Sequence, residues 1–340
     1  MAITTVSDGF TPEVAAEYAS QAFIENLGML ELMGSGPDSP IQVVNDAVFA
    51  MEGQYLDRPV FKRISSFVSS RDINGTSAAT DLELTTGNEQ AVKMHKKVGP
   101  LTWTADVYRV TRARPGSIER EFGKQAGEQM ALTVRESIIS AIRGAVAAMT
   151  STLHTKDVWN ASTRTNFTRN LVQEFMDLFE DRQEKVSSLV SHSRMHGDLI
   201  KDYLGAGVQG ITDTQSKQRI LRDTLGRAVY MATTALLTTS DAGFDKYRAL
   251  ALGPGAVQIG FSQPLRIYEV FEDTSKESVL YRARADFEFW IGIAGMGYVD
   301  GVGGANPSDS TLATSSSWTP VYSDAREVLL GELVSNYSGN

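Results

Sequence analysis

Residues 117–149 read SIEREFGKQAGEQMALTVRESIISAIRGAVAAM, and one apolar series runs through the stretch: Ile118, Phe122, Ala126, Met130, Val134, Ile138, Ile142 and Val146. A repeat of four stacks each side chain one turn above the last and lets the stripe rotate slowly about the axis. This is the pattern of a single long α-helix of about 45 Å. Arg114-Pro115-Gly116 ends whatever precedes it, and Ser117 is placed to cap the first turn. Glu119 and Glu121 fall where the helix dipole favours anions.

Upstream, Val60 to Val110 reads as extended chain. VFKRISSFV leads into the polar SSRDINGTSAATDLELTTGNEQ, and LTWTADVYRV follows with Leu101, Trp103, Ala105 and Val107 at alternate positions. The pattern predicts a long two-stranded hairpin over 58–114 with a flexible tip. So polar a ribbon has little core of its own and needs a partner to rest on. Farther upstream, Thr11-Pro12-Glu13 starts a short helix with Val14, Tyr18, Ala22 and Leu27 as its apolar face, and GSGPDSP at 34–40 breaks regular structure. This arm, residues 1–57, is expected to lie on something else.

Downstream, Asn170 to Arg182 reads as a helix with Leu171, Phe175, Leu178 and Phe179 on one face, VSSLV as a strand, and Arg194 to Leu204 as another helix. LGRAVYMATTALL, GAVQIGF, LRIYEVFED and SVLYRARADFEFWIGI are β-rich, with a turn at Asp273 to Lys276. The fold class is α+β.

The chain has 340 residues, 42% hydrophobic, and no cysteine, which leaves no disulfide, thiolate metal site or cysteine nucleophile and fits a reducing compartment. Its first basic residue is Arg58, so no export signal is expected, and no apolar stretch approaches the length of a membrane span. The net charge of −9 is concentrated at one end: residues 1–57 hold nine acids and no base, which leaves 41 − 9 = 32 acids against 32 bases for the rest. Residues 58–114 lean the other way, with ten bases and five acids, 10 − 5 = +5. Neighbouring blocks of opposite sign point to pairing within a chain or between copies, or else to two solvated faces.

Motifs for chemistry are weak. Gly205-Ala206-Gly207-Val208-Gln209-Gly210 matches G-x-G-x-x-G, yet it follows a helix where a dinucleotide fingerprint follows a strand and opens one, so it reads as a helix terminus and loop. His192 and His196 are four apart but lack the HExxH glutamate, and Arg194 between them is a cation that a metal site would not want. His192, Ser193 and Asp198 could be improvised into a triad, without a G-x-S-x-G elbow to support it. Lys93, Lys96 and Lys97, near Trp103, form a basic cluster too small to indicate nucleic-acid recognition in an acidic protein. No catalytic, cofactor-binding or metal residues are assigned.

The order of elements and several local stretches resemble the tailed-phage major capsid proteins of the HK-97-like (Hong Kong ninety-seven) fold. SLVSHSRMHGDLIKDYL is similar to that family's strand-to-helix step with a His-Ser pair, and LGRAVYMATTALL to its later strand opening with Leu-Gly-Arg. YRALALGPGAVQIGFSQPLRIYEV resembles its strand and Gly-x-Gly-Ala turn, and NPSDSTLATSSSWTPVYSD a C-terminal stretch in one branch. The resemblance implies an N-arm (1–57), an E-loop hairpin (58–114), the spine helix of a P-domain (115–150), an A-domain core (151–250), P-domain strands (251–300) and a C-terminal segment (301–340).

It also implies a function without catalysis. Copies would assemble as pentamers and hexamers into an icosahedral head around double-stranded DNA bound without sequence recognition, in the host cytoplasm. A separate scaffolding protein, a portal protein and a decoration protein would be partners, with no membrane. The arm and hairpin would then lie across neighbouring copies. The arm acids Glu13, Glu17, Glu25 and Glu31 would face Arg58, Lys62, Arg63, Lys93, Lys96 and Lys97. The alternatives are an encapsulin-like nanocompartment shell around protein cargo, and a hydrolase using His192.

Overall fold

The computed structural model describes residues 12–26, 33–34, 38–44, 53–62, 84–104, 117–149, 154–205, 221–222, 227–232, 234–240, 244–273, 280–322 and 324–337. Helix α1 (Pro12–Asn26) precedes strands β1 (Met33–Gly34), β2 (Ile41–Val43), β3 (Tyr55–Phe61) and β4 (Thr86–Thr104). Helix α2 (Ser117–Ala148) follows, then β5 (Thr155–Asp157), α3 (Arg169–Met176), a 3-10 stretch Asp177–Lys185, β6 (Ser188–Ser191) and α4 (Ser193–Gly205). The remainder is β7 (Leu221–Arg222), β8 (Ala228–Met231), β9 (Thr238–Thr239), β10 (Asp245–Leu252), β11 (Val257–Asp273), β12 (Leu280–Ile293), β13 (Met296–Tyr298), α5 (Asp309–Leu312), β14 (Trp318–Pro320) and β15 (Leu330–Tyr337).

Two sheets result. The first runs β1-β2-β11-β12-β4-β13-β14 with β3 paired to β4, and the second runs β5-β15-β10-β6-β8-β7 with β9 paired to β10. Each needs an apolar cover, because a sheet with one bare apolar face exposes its strands to water. For the first sheet the cover is α2: Val92, Met94, Val257, Ile259, Phe287, Phe289 and Ile291 alternate along their strands and share one core with Val134, Ile138, Ile142 and Val146. The second sheet is covered twice. Leu250, Leu252, Val190 and Leu330 meet that same core, while Leu189, Ala249, Ala251 and Leu333 face a separate core with Leu171, Phe175, Met176 and Leu199 of α3 and α4.

Every member of the four-residue series from Phe122 to Val146 is buried. The helix spans 32 residues, about 48 Å at 1.5 Å per residue. What periodicity could not show is the use of its glycines. Gly123 and Gly127 lie under α1, where a Cβ on Gly123 would stand 2.8 Å from the Tyr18 Cβ and one on Gly127 2.8 Å from the Ala22 Cβ. Gly144 receives the turn after α5, with the Trp318 indole 2.7 Å from where a Cβ would be and Trp318 Nε1 donating to the Leu312 carbonyl at 2.8 Å.

Two expectations need correction. The arm helix does not wait for another copy: its buried face is Ala15, Ala19 and Ala22, seated on α2 of the same chain, while Val14 of the expected face is 36% exposed. Small residues offer little apolar area, but on a helix facing glycines they permit the closest backbone approach. The hairpin is likewise not coreless. Its first strand pairs with residues 86–92 of β4, but β4 continues for 19 residues into the first sheet, where 92–104 pair with β12. Of the alternating set, Trp103 is buried and Leu101 exposed; Ala105, Val107 and the tip lie outside the described residues, as does the turn after Asp273.

Under the second sheet three imidazoles are buried: His154, His192 and His196. Nδ1 of His154 donates to the Leu330 carbonyl at 2.7 Å, and Nδ1 of His192 accepts from the Arg194 amide at 3.2 Å with its ring 4.9 Å from that of Tyr247. Burial holds all three below the usual histidine range.

Two outcomes follow from this packing. Gly→Ala inside a helix ordinarily stabilises by about 1 kcal/mol; Gly127→Ala is expected to reverse the sign, lowering the thermal midpoint and exposing residues 12–26 to proteolysis, because the added methyl meets backbone of α1. Second, the buried histidines bind fewer protons folded than unfolded, so their contribution is fully present above about pH 6.5 and is lost as pH falls below it. Thermal midpoints measured from pH 7.5 to 5.5 should decline, and His196→Gln should flatten that slope.

Candidate assembly surfaces

The ten charged candidates divide by where the fold sends them. Glu13, Glu17 and Glu25 stand exposed on the outer side of α1, Glu25 accepting from Gln21 of its own helix at 3.1 Å. The acids are thus presented outward because the inward positions of α1 are alanines. Glu31 and Arg63 lie outside the described residues.

Lys93 and Lys96 are already engaged. Because β4 is an interior strand, its Lys93 sits opposite Trp290 in register, with Nζ 2.6 Å from Glu288 and 5.8 Å from the Trp290 ring centre. Glu288 also takes His95 Nδ1 at 2.8 Å, and these partners hold its carboxyl below the usual range against the upward push of burial. Lys96 points to the other face and meets Asp309 of α5 at 3.3 Å, where Ser137 of α2 donates to the same carboxylate at 2.5 Å. Asn306 completes the stitching: its amide donates to the His95 carbonyl at 2.9 Å and its carbonyl oxygen accepts the His95 amide at 3.1 Å. Nothing in sequence spacing signalled that residues 306–309 return to β4, some 210 positions away.

Arg58 and Lys62 remain at the surface near the hairpin base, and Lys97 at the surface farther along β4. Lys97 is exposed opposite Asp286. Arg58 Nη1 donates to Gln258 Oε1 at 2.8 Å. Lys62 borders a cleft of about 430 Å³ with Glu180, Asp181, Asp324 and Glu327, beside the bidentate Arg182–Glu327 pair at 2.7 and 3.0 Å. At the same end, where the hairpin leaves the sheet, Phe61 is 68% and Leu84 60% exposed. Two large apolar side chains so bare on adjoining strand ends are unusual for a surface that stays in water. Periodicity reading passed over both.

The residues considered for chemistry do structural work. His192 closes β6, His196 is on the inner side of α4, and Asp198 pairs with Arg164 at 3.0 Å instead of with a histidine. Among the described residues no group of three His, Asp or Glu side chains could hold a metal ion, and no helix is long and apolar enough to cross a membrane. Gly205 ends α4, and the rest of the glycine motif lies outside the described residues.

Comparison with known proteins agrees with this architecture. No curated protein matches the chain. Among solved structures, the capsid of Ralstonia phage GP4 superimposes with a TM-score of 0.60 at 11% identity, covering 90% of each chain. The cyanophage Pam1 capsid gives 0.60 at 10% identity over 93% of this chain and 94% of that one, and the head of Helicobacter pylori bacteriophage KHP40 gives 0.56 at 11% over 92% and 91%. At these identities the likeness establishes the fold, the HK-97-like capsid architecture. The family comes from sequence: a model of the Gp13-like major capsid proteins matches residues 13–328, nearly the whole chain. The chain belongs to the major capsid protein 13-like family of bacteriophages.

Proposed function

We propose that copies of this capsid subunit close into an icosahedral head as pentamers and hexamers, acting as structural tiles without catalysis. The observation that carries this reading is Phe61 and Leu84 at the base of the hairpin, the two most exposed of the large apolar side chains described, at 68% and 60%. A second copy is the partner that a shell subunit supplies in abundance, and burying what these two side chains still expose contributes about 2–4 kcal/mol per contact. Residues 151–250 together with β15 would form the A-domain, and α2 with the first sheet the P-domain. A scaffolding protein, a portal, a decoration protein and packaged double-stranded DNA would join in the host cytoplasm.

The charge blocks then act between copies in a narrower form than the sequence implied. The exposed acids of α1 face Arg58, Lys62 and Lys97 of neighbours, together with Arg63, while Lys93 and Lys96 serve their own chain.

Electron microscopy of the expressed protein should show capsomers or closed shells, and monomers alone would end this reading. Nucleic acid in particles from infected cells separates a phage head from a shell around protein cargo. Reversing Glu13, Glu17 and Glu25 to lysine should slow assembly at low salt and weaken its salt dependence; unchanged assembly kinetics across salt concentrations would remove the arm from the interface. Phe61→Ser should leave the subunit's thermal midpoint in place and reduce shell yield.

A further inference from the structure

Between the spine helix and the second sheet lies a charge triplet that the apolar core surrounds. Arg143 of α2 reaches Glu332 of β15, Nε to Oε1 at 3.6 Å, and Arg248 of β10 reaches the same oxygen at 2.9 Å. These are charge contacts and not aligned hydrogen bonds. The arginines are anchored elsewhere: Nη1 of Arg143 donates to the Leu236 carbonyl at 2.8 Å, and Nη1 of Arg248 donates to Thr239 Oγ1 at 2.6 Å. The side chains of Arg143, Arg248 and Glu332 are 23%, 12% and 15% exposed. Burial pushes the Glu332 carboxyl up and the Arg143 guanidinium down, so both charges are held against their solvation preference.

Such a triplet is a poor stabiliser, because desolvating three charges offsets most of their attraction, and apolar replacements of similar volume often do as well. Its effect is on geometry. Ile138, Ile142 and Val146 of the helix and Leu250, Leu252 and Leu330 of the sheet, which share the surrounding core, are all aliphatic, and aliphatic surfaces can shift by fractions of an ångström at small cost. Arg143 cannot shift so freely, because one planar guanidinium must meet two separate pieces of chain, the carboxylate of Glu332 on β15 and the carbonyl of Leu236 in the 3-10 turn Ala235–Leu237 that leads into β9. Arg248 and Glu332 lie on adjacent strands and diagonal positions, Glu332 being opposite Leu250, so they pair without the helix. Arg143 ties them to it.

We propose that Arg143 is a positioning residue: with the Glu332–Arg248 pair it fixes the angle between the spine helix and the second sheet, and through that angle the curvature with which copies close. This rests on the shell reading above. Repeated contacts close only where the rotation per contact is right, so an angle left loose within each subunit accumulates around the shell.

The test is Arg143→Met, which leaves Glu332 its partner Arg248. The chain has no cysteine, so cysteines introduced at exposed Lys124 on α2 and Glu184 beside the second sheet can carry a pair of spin labels without background. In the soluble subunit the expected result is a thermal midpoint within a few degrees of the unaltered chain and a broadened label-to-label distance distribution. Shells of the variant should lose their single diameter and include open or misshapen particles. A distance distribution as narrow as in the unaltered chain overturns the proposal whether or not that chain forms shells, and so does a variant that no longer folds, which would make the triplet a stabiliser. Unaltered subunits that never form shells would instead sink the shell reading, leaving the distance measurement to decide on Arg143.

Discussion

Four different surfaces need the same helix at once. The 32-residue α2 has the arm helix over its first turns, the first sheet along its middle, the turn after α5 at Gly144, and the second sheet beside its last turns. An α-helix offers only so much perimeter, and large side chains all round would hold those neighbours 8–10 Å from the axis. The sequence resolves the conflict by zones. Gly123, Gly127 and Gly144 give backbone contact where another chain segment must come close, and the long aliphatics from Val134 to Val146 fill the space where two sheets must be spanned.

That zoning decides what was legible. The repeat of four is a statement about burial, and every tested member of it is buried, because an apolar side chain on a long helix has few places to go but inward. The same logic placed the strand and helix around 186–204 and the long strands after 255. It failed where the relevant residue is small. Ala15, Ala19 and Ala22 carry little hydrophobic signal, so the arm seemed coreless, yet opposite two glycines they make a close seam.

Charge was legible as composition and illegible as geometry. The acid-rich first 57 residues and basic following block are real features of the chain, and α1 does present Glu13, Glu17 and Glu25 outward. But a lysine on a strand points according to register, and register depends on partners far away in sequence. Lys93 and Lys96 are on opposite faces of β4 and answer to Glu288 and Asp309, residues whose arrival no local pattern announces. The basic cluster therefore separates into lysines spent inside the chain and Lys97, with Arg58 and Lys62, at its surface.

This internal neutralisation has a physical consequence for assembly. Had all six bases stayed free, the hairpin base would carry a strong positive field able to capture any acidic surface, and association would be fast and undiscriminating. With Lys93 and Lys96 paired at home, the field is weaker and more local, and in the proposed shell recognition between copies would fall to shape: the bare Phe61 and Leu84 at the hairpin base and the helix-to-sheet angle proposed for Arg143. Charge would then set how quickly two copies find each other, and the packed core the geometry in which they stay. A shell that must close needs the second to be far stiffer than the first, which is where the structure places its long helix and the half-buried Arg143.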